Sequence, residues 1–91
     1  MKLANGTYLK VGETFIRLET NEGYWVAVNE ISLESVKDGE VVGIWRDPET
    51  GTLWVDETRF ILDRETAITT AKAYDQIAIW DNRNQTTIQT R

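Results

Sequence analysis

The sequence contains no histidine and no cysteine. Without histidine it lacks the commonest general base, the most frequent metal ligand and the central residue of Ser-His-Asp and Cys-His nucleophilic sites. Without cysteine it has no disulfides, thiolate metal sites or cysteine nucleophile, which is compatible with a reducing compartment. These absences predict a cytoplasmic protein that is not an enzyme and needs no cofactor or metal ion.

Long apolar runs and phosphate-binding loops are also missing. No window approaches the roughly 20 apolar residues of a membrane span, and the first residues lack the apolar stretch of a signal peptide. The glycine-containing candidates for such a loop are turns that return to strands, and none opens a helix as a phosphate loop does. We therefore expect no membrane association and no phosphate loop.

The composition is that of a folded protein with an acidic balance. Of 91 residues, 41% are hydrophobic and 27% are charged, which is far from the composition of disordered chains. This length suits one modest core, so residues 1–91 are predicted to form a single domain. Fifteen acidic against ten basic side chains give a formal net charge of −5, which disfavours nucleic acids as partners.

Residues 14–28 predict a first β-hairpin. The β-rich runs 14–20 and 24–28 surround Asn21-Glu22-Gly23, whose glycine stands where a three-residue hairpin loop needs a left-handed residue. If Thr20 faces Tyr24, the alternation of a strand gives one apolar face and one mixed face. The mixed face carries Phe15, Arg17, Glu19, Trp25 and Ala27.

A second hairpin is predicted from residues 41–46 and 52–56, which surround the turn Asp47-Pro48-Glu49-Thr50-Gly51. Pairing Arg46 with Thr52 places Trp45, Leu53 and Val55 on one face and Ile44 with Trp54 on the other. Each face then carries a large aromatic side chain. This pattern indicates a sheet that is covered on both sides or that meets a partner.

The remaining chain predicts one helix and two further strands. Residues 31–39 read as a connector, and Asp63 can cap a helix over about 63–75. The apolar run 76–81 and the threonine-rich run 85–90 predict a C-terminal strand pair. The predicted fold class is therefore α+β, with a small antiparallel sheet of two hairpins and a C-terminal strand pair packed with one helix.

Four tryptophans are a high count for this length, and we expect two or three of them to be structural and one or two to form a binding patch. Tryptophan is enriched in cores and at the centres of protein interfaces. Trp25 is the better candidate, because its predicted strand face also carries Arg17 and Glu19. The sequence leaves homo-oligomerisation through an edge strand as an alternative use of the sheet.

Two alternative functions, small-ligand binding and hydrolysis, involve residues 45–63. A small-ligand site would stack a nucleotide-like ring on Trp45 or Trp54 and place Arg46 or Arg59 against its charge. A carboxylate-based hydrolase would need two carboxylates across a cleft, and Asp56 and Asp63 are the candidates.

The C-terminal half resembles small uncharacterised proteins of phages and prophages. The resemblance is carried by GIWRDPETGTLWVD at 43–56, DRETA at 63–67 and QIAIWD at 76–81. Such proteins are often accessory factors that bind a host protein, including inhibitors of bacterial defence systems. The resemblance thus implies a protein-interaction module in the host cytosol, which would dock a mixed aromatic and acidic surface onto a host protein.

Overall fold

A seven-stranded antiparallel sheet and one α-helix make up the computed structural model, which describes residues 3–91. The sheet curves into a half-barrel, and its strands lie in the order β2-β1-β4-β5-β3-β6-β7. The α+β class with a mainly antiparallel sheet is therefore confirmed. The elements are β1 Gly6–Val11, β2 Thr14–Leu18, β3 Tyr24–Glu30, a 3₁₀ helix Leu33–Ser35, β4 Val41–Arg46, β5 Leu53–Ile61, α1 Arg64–Ala73, β6 Ala78–Asp81 and β7 Thr86–Gln89.

The apolar core lies on one side of the sheet, here called the helix face. Alternate residues of the strands point to this side, where α1 and the connector around the 3₁₀ helix cover them. One cluster lies beneath α1 and consists of Val26, Ala67, Ala71 and Ile79. The other includes connector residue Val36 and consists of Tyr8, Val36, Val42, Ile44 and Val55.

The helix α1 begins at the N-cap that the sequence predicts. The Asp63 Oδ2 accepts a hydrogen bond from the Thr66 amide at 2.8 Å, as an N-cap does. The helix ends at Ala73, and Asp75 then adopts a positive φ of 59°. The predicted helix over about 63–75 is therefore confirmed, with slightly narrower bounds.

The C-terminal strand pair is also confirmed, because β6 and β7 pair along their length. Buried Asp81 closes the turn between them: its Oδ1 accepts hydrogen bonds from the amides of Arg83 and Asn84, and its Oδ2 accepts one from the Asn84 side chain at 2.8 Å. The Asn84 side-chain amide is the main cause that lowers the pKa of Asp81, although desolvation opposes it.

The pairing predicted for the first hairpin is wrong. Strand β2 pairs with β1, which the sequence analysis missed, whereas β3 lies between β5 and β6. Gly12, with a φ of 61°, allows the tight turn that pairs β2 with β1. The segment before β3 is instead bound to the turn after β6. The backbone amide of Asn82 donates a hydrogen bond to the Gly23 carbonyl, and its side-chain amide donates one to the Glu22 carbonyl.

The second hairpin forms, but its register differs by one residue from the predicted register. Thr52 belongs to the turn, because its carbonyl accepts the amide of Asp47 at 2.9 Å. Arg46 therefore lies opposite Leu53, and Trp45 lies opposite Trp54. The predicted grouping of Trp45 with Leu53 and Val55 is wrong, since the two tryptophans share a face.

The connector prediction for 31–39 agrees with the single 3₁₀ turn found there. Among residues 3–91, no helix combines the length and apolar character needed to cross a bilayer.

Candidate functional site

The side of the sheet opposite α1 forms an open groove of about 1720 Å³, here called the groove face. Its walls come from strands across the whole sheet. All four tryptophans line it, namely Trp25, Trp45, Trp54 and Trp80. The sheet is therefore covered by the protein's own elements on the helix face and is open on the groove face.

Strand alternation and register place the tryptophans in two pairs. Trp45 lies opposite Trp54 across β4 and β5, and Trp25 lies opposite Trp80 across β3 and β6. Trp25 also lies opposite Phe60, which is six residues beyond Trp54 on β5. At about 3.3 Å per residue, the two aromatic groups are about 20 Å apart.

Three of these indoles are substantially exposed. The exposed fraction is 49% for Trp45, 40% for Trp54 and 38% for Trp80. Trp25 is half-buried, and its ring meets the Phe60 ring edge to face at a centroid distance of 5.3 Å. Trp25 thus lines the groove, but its strand β3 does not pair with β2, which carries Arg17, and the other three tryptophans present more of their surface.

Small side chains form the floor between the two aromatic groups. Thr7, Ala27, Gly43 and Thr58 all line the groove there. A Cβ at Gly43 would lie 3.1 Å from the Thr58 Oγ1, so the glycine keeps this part of the floor low. The groove therefore has bulky aromatic ends and a lower centre that is lined by small side chains.

Two carboxylates face each other at this centre. Glu30 lies opposite Asp56 across β3 and β5, and both residues line the groove. A β-bulge between Ala27 and Asn29 produces this pairing, because an uninterrupted register would bring Asn29 to Asp56. Desolvation, followed by the charge of Glu30, raises the pKa of Asp56.

The predicted arginines extend from the helix face of their strands. Arg17 lies opposite Tyr8, a core residue of that face, with its guanidinium 5.9 Å from the centre of the Tyr8 ring. It reaches the groove only at the rim, where its Nε lies 3.2 Å from the Glu19 carboxylate. Arg46 lies opposite Leu53 and donates a hydrogen bond to the Gly51 carbonyl at 2.9 Å. Because Trp45 and Trp54 point to the other face, the structure does not bring Arg46 into their site.

Arg59 is also directed away from the tryptophans. It lies opposite Val26, a core residue of the helix face, and its guanidinium lies 5.5 Å from the centre of the Tyr74 ring. The stacking and charge-pairing groups of the predicted nucleotide-like site are therefore on opposite sides of the sheet.

The two carboxylates of the hydrolase hypothesis are not brought together. Asp56 is five residues from Ile61 on an extended strand, a span of about 16 Å, and Asp63 lies beyond that strand end. The backbone amide of Thr66, with its hydroxyl, lowers the pKa of Asp63. Asp63 is thus occupied as a helix cap.

Several groove residues were not predicted as site residues. Trp80, Glu30 and Arg83 line the groove, but the sequence analysis did not assign them to a site. The aromatic residue in the run 76–81 was the available signal for Trp80. No short sequence pattern reveals the bulge that carries Glu30 to Asp56.

Within the described range, no cluster of three or more acidic side chains could hold a metal ion. The chain matches no protein-family model, no curated protein and no solved structure at a level that would show a relationship. The groove therefore has to be interpreted from its own geometry.

Proposed function

We propose that this protein is a non-enzymatic interaction module that binds a segment of a host protein in the groove. The observation that carries the proposal is that all four tryptophans line one concave face and three of them are 38–49% exposed. Tryptophan is the residue type most enriched among energetically dominant interface positions. Inhibition of a host defence protein is the role that the phage-type resemblance suggests for such binding.

Covering these indoles would release a useful free energy. The exposed part of each indole is about 100 Å², and at about 25 cal/mol per Å² its burial is worth about 2.5 kcal/mol. Two or three such side chains are comparable to the strongest positions of measured interfaces. Their burial would therefore offset a substantial part of the free-energy cost of association.

The size of the groove favours a polypeptide over a small molecule. Small-molecule pockets have volumes of about 300–1,000 Å³ and enclose most of the ligand. The groove has a volume of about 1720 Å³ and is open along its length. A partner segment fills such a space better than one planar ring does.

The test compares partner capture by the wild-type protein and by two variants. Trp45→Ser with Trp54→Ser removes one aromatic pair from the groove, whereas Tyr74→Ser removes an exposed aromatic ring from the C-cap of α1 on the helix face. We expect a stoichiometric host protein to be captured by the wild type and by Tyr74→Ser, and to be lost with the double variant. Capture by all three proteins alike would contradict binding in the groove.

A further inference from the structure

The centre of the groove holds negative charge at a cost in stability. Like charges placed directly opposite each other on neighbouring strands are destabilising, and Glu30 and Asp56 are such a pair. The pair exists because β3 contains a bulge, and bulges commonly redirect a side chain at a functional position. An arrangement that is unfavourable in the free protein becomes favourable when a cation lies between the carboxylates.

The described part of the chain provides no ion-pair partner for these carboxylates. The ion pairs within residues 3–91 are Arg17 with Glu19 and Arg91 with Asp75. Neither of them includes Glu30 or Asp56. A positive group from outside is therefore the complement to the centre of the groove.

The aromatic residues beside the carboxylates also favour a positively charged side chain. Lysine and arginine lay their aliphatic stems along apolar surface, and their charged heads are attracted to indole faces. Asp56 is two residues from Trp54 on β5, a distance of about 7 Å. A basic side chain can thus contact an indole and reach the carboxylates together.

The backbone of the sheet restricts the form of the occupant. The strands that carry the aromatic groups and the carboxylate pair, β3, β4, β5 and β6, each have a neighbour on both sides. They offer no free edge to an added strand, so an occupant that buries its backbone against the sheet has to satisfy its own backbone hydrogen bonds. An α-helix meets this requirement.

The dimensions of the groove also fit a helix. A helix of about 14 residues is about 20 Å long. The aromatic groups at the two ends are separated by the same distance of about 20 Å. One helix of this length would therefore contact both groups.

We propose that the groove binds an amphipathic α-helix of the partner, with a lysine or arginine facing Glu30 and Asp56 and an apolar side chain at each aromatic end. If the helix runs along β5, the basic residue lies about one turn from the apolar residue over Trp54. It lies about two turns from the apolar residue over Phe60. This inference rests on the proposed function, since it names the chemistry of the partner segment.

The test uses two synthetic helical peptides of about 15 residues that differ at one position. Both carry leucine about one turn before and about two turns after that position, which is lysine in one peptide and glutamate in the other. Each peptide is titrated into the full-length protein while the indole N–H resonances and the tryptophan fluorescence are followed. The variants are Glu30→Gln with Asp56→Asn, and Glu34→Gln with Glu49→Gln as the control.

The control removes the same net charge from the connector and from the turn between β4 and β5. Neither of its residues lines the groove. We expect the lysine peptide to bind the wild-type protein at least about ten-fold more tightly than the glutamate peptide. The Glu30→Gln, Asp56→Asn variant should lose that preference, and the control should keep it.

Equal affinity of the two peptides, or an equal loss in both variants, would overturn the inference. Failure of the lysine peptide to shift the indole resonances would overturn it as well. None of these results would decide the proposed function, which depends on partner capture by the tryptophan variants. Loss of capture in those variants together with equal peptide binding would retain a groove-binding partner of different chemistry.

Discussion

The ring of Phe60 lies across Gly23 so closely that a Cβ on the glycine would come within 2.4 Å of the Phe60 Cζ. Gly23 also has a φ of 73°, a backbone conformation that residues other than glycine rarely adopt. This contact holds Phe60 edge to face with Trp25 at one end of the groove. The glycine thus shapes the aromatic end of the site without lining it.

We expect Gly23→Ala to destabilise the protein strongly. The positive φ costs about 1–2 kcal/mol for alanine, and the contact with Phe60 adds to that cost, since the ring must move. Gly12→Ala is the matched control, because Gly12 has a φ of 61° but nothing within 4 Å of its Cβ position. Urea denaturation should show a larger loss for Gly23→Ala, and equal losses would contradict the close contact.

The core beneath α1 depends on Val26, which is fully buried against the helix. Val26→Ala should lower the free energy of unfolding by about 2–3 kcal/mol, because two methyl groups are lost and a cavity remains. Val11→Ala removes the same atoms from a side chain that is 46% exposed. Its cost should be less than about 1 kcal/mol in the same urea titration; similar costs would contradict the placement of the core.

Asp56 should make the protein less stable as the pH rises. Its pKa is raised in the folded state by desolvation and by Glu30, so the folded protein binds this proton more tightly than the unfolded chain does. Stability therefore falls as the pH increases from the unfolded pKa, about 4, through the folded pKa, and it stays lower above that range.

We expect Asp56→Asn to unfold at a higher urea concentration than the wild-type protein at pH 7, because the unfavourable charge is absent. The difference should shrink as the pH falls towards 4, because more of the folded wild-type protein then carries the proton on Asp56. Glu49→Gln, in the exposed turn before β5, is the control for the general change in net charge. A gain that is the same at both pH values would contradict the raised pKa.

Asp63 should have the opposite dependence on pH. The backbone amide and the hydroxyl of Thr66 lower its pKa in the folded state, so its contribution is complete above the unfolded pKa and is lost as the pH falls through the folded pKa. Asp63→Ala should lower the thermal midpoint at pH 7, measured by far-UV circular dichroism. Asp63→Ser should retain more of it, because serine can also cap the helix; an equal loss would exclude the cap.

Local signals in the sequence were sufficient for several elements. The Asp63 cap predicted α1, and the turn around Pro48 and Gly51 predicted the β4–β5 hairpin. These features depend on neighbouring residues only. The sequence did not indicate that all four tryptophans would line one face of the sheet.

The partners of the strands were harder to predict than the strands themselves. Both β2 and β3 were predicted as strands, but the pattern of a single sequence does not show which strands pair, and so it did not predict that β3 lies between β5 and β6. The predicted faces of Trp45 and Trp54 were wrong for a smaller reason. Thr52 belongs to the turn and not to the strand, which shifts the β4–β5 register by one residue and moves each side chain of β5 to the other face relative to β4. The site depends on these long-range pairings.

The strand order also has a consequence for the rate of folding. Strand β1 joins β4, and residue 25 must find residue 80 before the second aromatic group of the groove exists. Chains whose native pairings are this distant in sequence fold in milliseconds to seconds, because a large loop entropy is lost before the contacts form. The groove is thus completed only when the two halves of the chain have met, and its indoles can report refolding kinetics directly.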